Sequence, residues 1–187
     1  MKKYAMVVLA LLAIPAFAFA GTANTMALTV GGSASASVAQ GGTLTVDLVM
    51  DSAVPAAGYQ LELQASAAGA FDVTADVASA TLFAGGLPLG SAVGGLDTTS
   101  ATTGVLGFSD VPAESSPGTV RTFTIAVDAA APVGMYTIDP INVVVSDSMA
   151  NSIATTVSGL CVNVTPEPAS MLLLAGALPF LRRRRMA

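Results

Sequence analysis

The sequence predicts an all-β domain, an antiparallel β-sandwich, and three observations carry that expectation. Apolar and polar residues alternate with a period of two over several short runs. Clusters of glycine and proline separate those runs at short intervals. Nothing between residues 21 and 165 repeats its apolar positions with the period of about 3.6 residues that an amphipathic helix needs.

The runs follow one another in order. A short first strand is expected at 27–30. Next, Leu44, Val46, Leu48 and Met50 alternate with Thr45, Asp47 and Val49, and Tyr59, Leu61, Leu63 and Ala65 alternate with Gln60, Glu62 and Gln64. Phe71, Val73, Ala75 and Val77 then alternate with Asp72, Thr74 and Asp76, which predicts Val77 inside and Asp76 outside. Residues 77–82 are ambiguous between strand and helix, and 85–103, rich in Gly, Ser and Thr, read as a long loop or weak edge strands. Phe123, Ile125 and Val127 alternate with Thr122, Thr124 and Ala126, and a further strand is expected at 160–164 around Cys161. Such alternation makes a sheet with one buried and one wet face. Gly41-Gly42, Pro55, Gly69, Gly85-Gly86, Gly94-Gly95, Pro112, Pro117-Gly118 and the segment 132–134 punctuate the strands.

Both ends carry addresses. Lys2 and Lys3 precede an apolar run at 5–14, and Ala18 and Ala20 form a small-x-small site before Gly21. Residues 1–20 are therefore expected to be a secretion signal removed after Ala20; Pro15 interrupts a run too short for the roughly 20 residues of a spanning helix. At the other end Pro166, Glu167 and Pro168 precede an apolar stretch at 169–181 and the cluster Arg182, Arg183, Arg184 and Arg185. An arginine cluster crosses a bilayer only at high cost and so stays cytoplasmic. The Pro-Glu-Pro segment is then left outside in an extended form. Two flanking helices, the signal and the short apolar tail, complete the expected organisation: 1–20 signal, 21–165 sandwich, 166–187 tail.

Composition narrows the function. Residues 21–165 are 145 positions, enough for one domain with a real core. They hold nine Asp and two Glu against one Arg, Arg121, a formal charge of −10. That charge argues against nucleic acid and anionic lipid as partners of the domain. The chain has no His and no Trp, and its Lys are confined to the signal, so a serine triad, a His-ligated metal and a lysine Schiff base are excluded from the domain. No cofactor and no metal is expected. Cys161, between Leu160 and Val162, reads as a small half-buried strand residue. Asp139, Asp147 and Asn151 gather in sequence around Pro140, and Asx-type turn caps explain them better than a Ca²⁺ loop. The aromatic residues Tyr59, Phe71 and Phe123 fall on core parity, leaving Tyr136 and Phe83 as candidate surface rings, too few for a sugar-stacking platform.

The tail, on Pro166 to Pro168, the apolar 169–181 and Arg182 to Arg185, resembles the PEP-CTERM sorting signal. The resemblance covers the last 22 residues. It implies export by the Sec machinery and processing near Pro-Glu-Pro by an exosortase, a membrane-embedded cysteine protease-like enzyme. The apolar segment is short and carries Gly176 and Pro179, which fits a transient inner-membrane anchor better than a permanent one. The expected destination is the cell envelope or the extracellular space.

A second resemblance lies in the middle. Gly42-Thr43-Leu44-Thr45-Val46-Asp47-Leu48 followed by Gly58-Tyr59-Gln60-Leu61-Glu62-Leu63 is similar to the opening of cohesin modules. Gly118-Thr119-Val120-Arg121-Thr122-Phe123-Thr124-Ile125-Ala126-Val127 leading into Ala131-Pro132-Val133-Gly134-Met135-Tyr136-Thr137-Ile138, and the close at Ser158-Gly159-Leu160-Cys161-Val162-Asn163-Val164, resemble later cohesin strands. The resemblance implies a nine-stranded jelly-roll sandwich of the cohesin and carbohydrate-binding-module kind. The chain departs from it at Ala65-Ser66-Ala67-Ala68-Gly69, where cohesins usually carry a Tyr-Asp-Pro-like turn, so no individual binding residue is carried over. The expected activity is non-covalent association with an extracellular protein, with a polysaccharide as the alternative ligand and no catalysis. The wet side that would carry it is expected to hold Thr45, Asp47, Gln60, Glu62, Gln64, Thr122 and Thr124.

Overall fold

The computed structural model describes residues 24–78, 93–96, 104–108 as backbone, and 118–167. The signal, its cleavage residues Ala18, Ala20 and Gly21, and the tail from Pro168 through Arg182 to Arg185 lie outside the described residues, as does Phe83. The described part is all strand, turn and loop: β1 Asn24–Thr29, β2 Ser35–Ala39, β3 Thr43–Asp51, β4 Gly58–Ala65, β5 Phe71–Ala78, β6 Gly94–Gly95, β7 Gly104–Phe108, β8 Gly118–Val127, β9 Gly134–Ser146, β10 Ser152–Ile153, β11 Thr155–Ser158 and β12 Leu160–Thr165. Of 85–103, the pair β6 joins the sheet beside β5. The strands form two sheets of six, one ordered β11-β1-β3-β8-β5-β6, the other β2-β12-β9-β4-β7 with β10 on β9.

The expected all-β sandwich is what forms, with twelve described strands where the resemblance implies nine and with one amendment to the pairing. Two of the pairings are parallel: β1 with β11 and β2 with β12. The N-terminal ribbon crosses from the first sheet to the second through a turn at 30–34, where Gly31 and Gly32 take left-handed φ of 56° and 81°. The C-terminal ribbon crosses at Gly159, between β11 and β12. Running side by side, the two ribbons close one flank of the sandwich, and β12 sits inside its sheet between β2 and β9. The fold therefore closes only when residues as late as Thr165 are in place.

Gly159 makes that crossing possible. A β-carbon there would overlap the Asp139 carboxylate and stand 2.8 Å from the Ile138 carbonyl oxygen, whose residue is paired to both Leu160 and Ala65. The carboxylate can swing aside, but the backbone cannot. Gly159→Ala should cost about 1–3 kcal/mol by overpacking. Gly134→Ala, where the added carbon meets nothing within 4 Å, should stay within about 0.5 kcal/mol. Urea melts of the two variants check the contrast.

Between the sheets, Leu28, Val46, Leu48, Phe123 and Ile125 of the first pack against Leu61, Leu63, Ile138, Leu160 and Val162 of the second, all buried. Phe71 and Tyr136 meet edge to face across the two sheets at 5.4 Å. Tyr136 is thus half-buried and not a free surface ring, its hydroxyl donating to the Pro132 carbonyl at 2.5 Å.

The expected parity of β5 fails after Val73. Ile125 and Thr124 are consecutive on β8 but pair with Val73 and Ala75, so Thr74 is an extra residue, a bulge. One extra residue turns every later side chain to the other face. Val77 is consequently 61% exposed, while the Asp76 side chain is wholly buried. A second bulge on β8 at Val120 leaves both Val120 and Arg121 facing in. Cys161 is also corrected: it is exposed, because Leu160 and Val162 take the inward parity of β12. Pro140 marks no turn; it lies within β9 opposite Leu63.

Candidate functional site

The residues expected on one wet surface divide between the two opposite outer faces of the sandwich. Thr45, Asp47, Thr122 and Thr124 belong to β3 and β8 of the first sheet; Gln60, Glu62 and Gln64 belong to β4 of the second. Alternation alone says which residues are wet but not which strands share a sheet.

On the first sheet the outward residues form cross-strand rows. Thr43, Ala126 and Asp72 make one, Thr45, Thr124 and Ala75 the next, and Thr29, Asp47, Thr122 and Val77 a third. The Thr122 hydroxyl donates to Asp47 Oδ1 at 2.7 Å, and that of Thr74 to the Thr124 carbonyl at 3.2 Å. These bonds orient the side chains before any partner arrives. Short β-branched side chains have few rotamers left to lose, so such a face binds at low entropic cost. Its charges among the described residues are Asp47, Asp51 and Asp72.

The opposite face is rougher. Gln60, Glu62 and Gln64 stand beside Val144, Ile141 and Asp139 of β9, and Asn142 Nδ2 donates to Glu62 Oε2 at 2.6 Å. A bulge in β9 holds Asn142 at φ 50° there. Met135, 66% exposed, projects nearby beside Asn163 and the Cys161 strand. Long flexible side chains give this face a larger ordering cost on binding.

The chemistry-bearing cluster of the interior was not foreseen. Arg121 and Asp76 form a bidentate ion pair, Nε to Oδ1 at 2.6 Å and the terminal nitrogen to Oδ2 at 3.0 Å, with side chains 3% and 0% exposed. Burial works against the Arg121 charge, but the bonds and charges of Asp76 and Tyr59 outweigh it and raise the guanidinium above its ordinary value. Burial likewise raises the Tyr59 phenol, with Arg121 pulling the other way. The cluster ties β5, β8 and β4 together and holds no substrate-accessible group. One signal in the sequence pointed to it: counting back by twos from Phe123 puts Arg121 on the core parity.

Asp147 and Asn151 come together as a turn, in which the Asp147 carboxylate accepts from the amides of Met149 and Asn151 and from Asn151 Nδ2. Those bonds, the Asn151 ones first, lower its carboxyl pKa. The turn-cap expectation therefore holds for Asp147 and Asn151; Asp139 stands apart within β9 and accepts from the Thr137 side-chain hydroxyl at 2.8 Å, so it caps no turn. Among the described residues no group of three His, Cys, Asp or Glu is placed to hold a metal.

Of the sorting residues, Pro166 is exposed and Glu167 half-buried at the end of β12. Thr165 is the last residue the sheet holds: its carbonyl accepts from Gln40 N at 2.9 Å and its hydroxyl donates to the Val38 carbonyl at 3.2 Å. The chain thus becomes accessible at Pro166. A concavity of about 410 Å³ lies at this end of the sandwich, lined by Ala67, Ala68, Gly69, Ala130, Pro132 and Tyr136 among others.

No protein-family model and no curated protein matches the chain. Solved structures do. A non-cellulosomal cohesin from the hyperthermophilic archaeon Archaeoglobus fulgidus matches with a TM-score of 0.59 at 13% identity, covering 80% of this chain and 96% of that one. A cohesin from Clostridium acetobutylicum matches with a TM-score of 0.58 at 14% identity over 76% of this chain and 91% of its own. A chain of a type I cohesin–dockerin complex from Clostridium thermocellum matches with a TM-score of 0.58 at 10% identity over 77% of this chain and 100% of its own. At such identities the likeness is one of fold, and the described sandwich has the cohesin-like fold.

Proposed function

We propose that the chain is an exported association module whose partner, an extracellular protein, docks on the outer face of β3, β8 and β5. The observation that carries this reading is the pre-oriented threonine and aspartate surface, continuous over three adjacent strands and free of cations among the described residues. A cohesin–dockerin complex among the structures of like fold supports a protein as the occupant. A polysaccharide is the alternative ligand of the same face. It has less support, since Tyr136 is engaged with Phe71 and Pro132 and offers no free ring. The reading includes no catalysis and no cofactor.

Delivery is assigned to the two ends: Sec-dependent export through 1–20, then exosortase processing of the Pro166, Glu167, Pro168 tail at the envelope, with transient insertion of 169–181. The fold suits this order. Cutting after Thr165 leaves every sheet bond in place, whereas cutting before Leu160 removes a strand between β2 and β9.

An acidic face should bind a basic partner, and its affinity should fall as salt rises past the roughly 10 Å Debye length of 0.1 M ionic strength. Titrating residues 21–165 against extracellular-matrix proteins at low and high salt tests this. Asp47→Asn with Asp72→Asn should weaken capture, and Glu62→Gln on the opposite face should leave it unchanged. Equal losses from both would assign the function elsewhere. A chain ending at Thr165 should bind normally but, in fractionated cells, move from the envelope to the periplasm or the medium; the same distribution with and without the tail would refute the sorting reading.

A further inference from the structure

The point where the chain leaves the sandwich constrains how the domain sits while its tail is inserted. Glu167 Oε1 lies 3.5 Å from where a β-carbon of Gly41 would be, and that carbon would stand 3.7 Å from the Ala129 β-carbon. The exit is thus surrounded by three turns, 40–42, 66–70 and 128–134, brought together by the Gln40 side chain donating to the Ala131 carbonyl at 2.6 Å and by Asp128 N donating to the Ala70 carbonyl at 3.0 Å. Asn24 and the 147–151 turn lie at the opposite end. β3 starts beside Gly42 and runs to Asp51 next to Asn24, whose side chain is bonded to Val54.

Only Pro168 separates Glu167 from Ala169, a reach of about 7 Å over two Cα steps. The headgroup zone on each side of a bilayer is itself roughly 5–8 Å deep. An inserted 169–181 segment therefore leaves no spacer, and the exit turns must meet the headgroups. Their composition agrees. The three turns and residues 166–167 contain Asp128 and Glu167 as their charges, and Asp128 is turned onto its own backbone, accepting from Ala130 N at 2.6 Å. Apart from Gln40, whose amide is engaged with Ala131, the remaining side chains there are small or apolar, with Ala68, Ala129, Ala130 and Pro132 exposed and Val133 53% exposed. Asp47 and Asp51 lie further along the sheet, and Asp72 stands on the strand row that borders this end.

We propose that this end of the sandwich is a lipid-facing surface, apposed to phospholipid headgroups for as long as the tail is inserted. The proposal rests on the reading of 169–181 as a membrane segment. It follows that the strands stand upright on the membrane. Both outer faces are then presented sideways, open to partners in the plane of the envelope.

The test uses the exported chain with its tail in place, reconstituted into vesicles of phosphatidylethanolamine and phosphatidylglycerol containing a headgroup-attached nitroxide quencher. Cys161→Ser removes the native thiol. Val133→Cys and Ala68→Cys then place a fluorophore at the exit end in separate chains, and Met149→Cys, at a residue 77% exposed, places one at the far end. Quenching at 133 and 68 is expected to exceed that at 149 several-fold, and two independent positions keep the test standing should one variant fold poorly. Chains that float with the vesicles but are quenched equally at both ends, or more at 149, overturn the proposal and leave the membrane segment intact. Chains that do not float at all refute the membrane segment, and the proposal with it.

Discussion

Arg121→Met should destabilise the domain by about 3–5 kcal/mol, because it takes the guanidinium away from a buried carboxylate, that of Asp76. The pair is inside the sandwich, 3% and 0% exposed, so water cannot replace the lost guanidinium. Replacing both residues, Arg121→Met with Asp76→Leu, should recover most of that loss, since an apolar pair of similar volume is often as stable as a buried ion pair. Denaturant melts of the single and double variants give the comparison. A single-variant loss below about 1 kcal/mol would mean the carboxylate finds water or another partner, contrary to its burial. The pair also matters for the association face. Arg121 points inward beside the β8 bulge at Val120, and Asp76 does so after the β5 bulge at Thr74. If the ion pair is what holds the bulges, the double variant should fold stably yet bind its partner less well, as Ala75 and Val77 lose their outward register.

Phe123→Ala is expected to cost about 3–5 kcal/mol, the range for removing a fully buried aromatic side chain. Phe123 is 0% exposed, paired with Val46 on one side and Asp76 on the other. Thr124→Ala, one residue on, should cost under about 0.5 kcal/mol, since the hydroxyl-bearing side chain faces outward. Similar losses at the two positions would contradict the strand parity on which the whole outer face depends. Because Thr124 pairs with Thr45 in the middle of that face, its alanine variant should be nearly silent in stability and visible in partner binding.

Much of the fold was legible before any coordinates. β3, β4 and β8 lie where alternation put them, and Leu61 and Phe123 face the space between the sheets. The readings that failed share a cause. Asp76 and Val77 exchanged places because one inserted residue, Thr74, resets parity, and nothing in the local string Phe71-Asp72-Val73-Thr74-Ala75 announces a bulge. Pro140 suggested a turn because proline lacks an amide donor, yet a strand tolerates it where no partner needs that donor. Cys161 looked half-buried by its size and neighbours, although the parity set by Leu160 and Val162 already turned it outward. The single wet face became two because sheet membership of β4 was invisible.

By itself, the sequence determined what backbone sterics and composition control. Successive side chains of an extended chain point to opposite faces, so the run of Leu44, Val46 and Leu48 had to bury one side wherever its strand was placed. The absence of His and the surplus of carboxylates excluded whole classes of chemistry regardless of fold. The tertiary structure alone decided which strands became neighbours, where the register slipped, and which end of the sandwich released the chain at Pro166. Those outcomes depend on pairing segments more than a hundred residues apart, as β1 with β11 and β2 with β12. Their free energy comes from burying both inner faces at once, a property of the assembled sheets that no single strand carries.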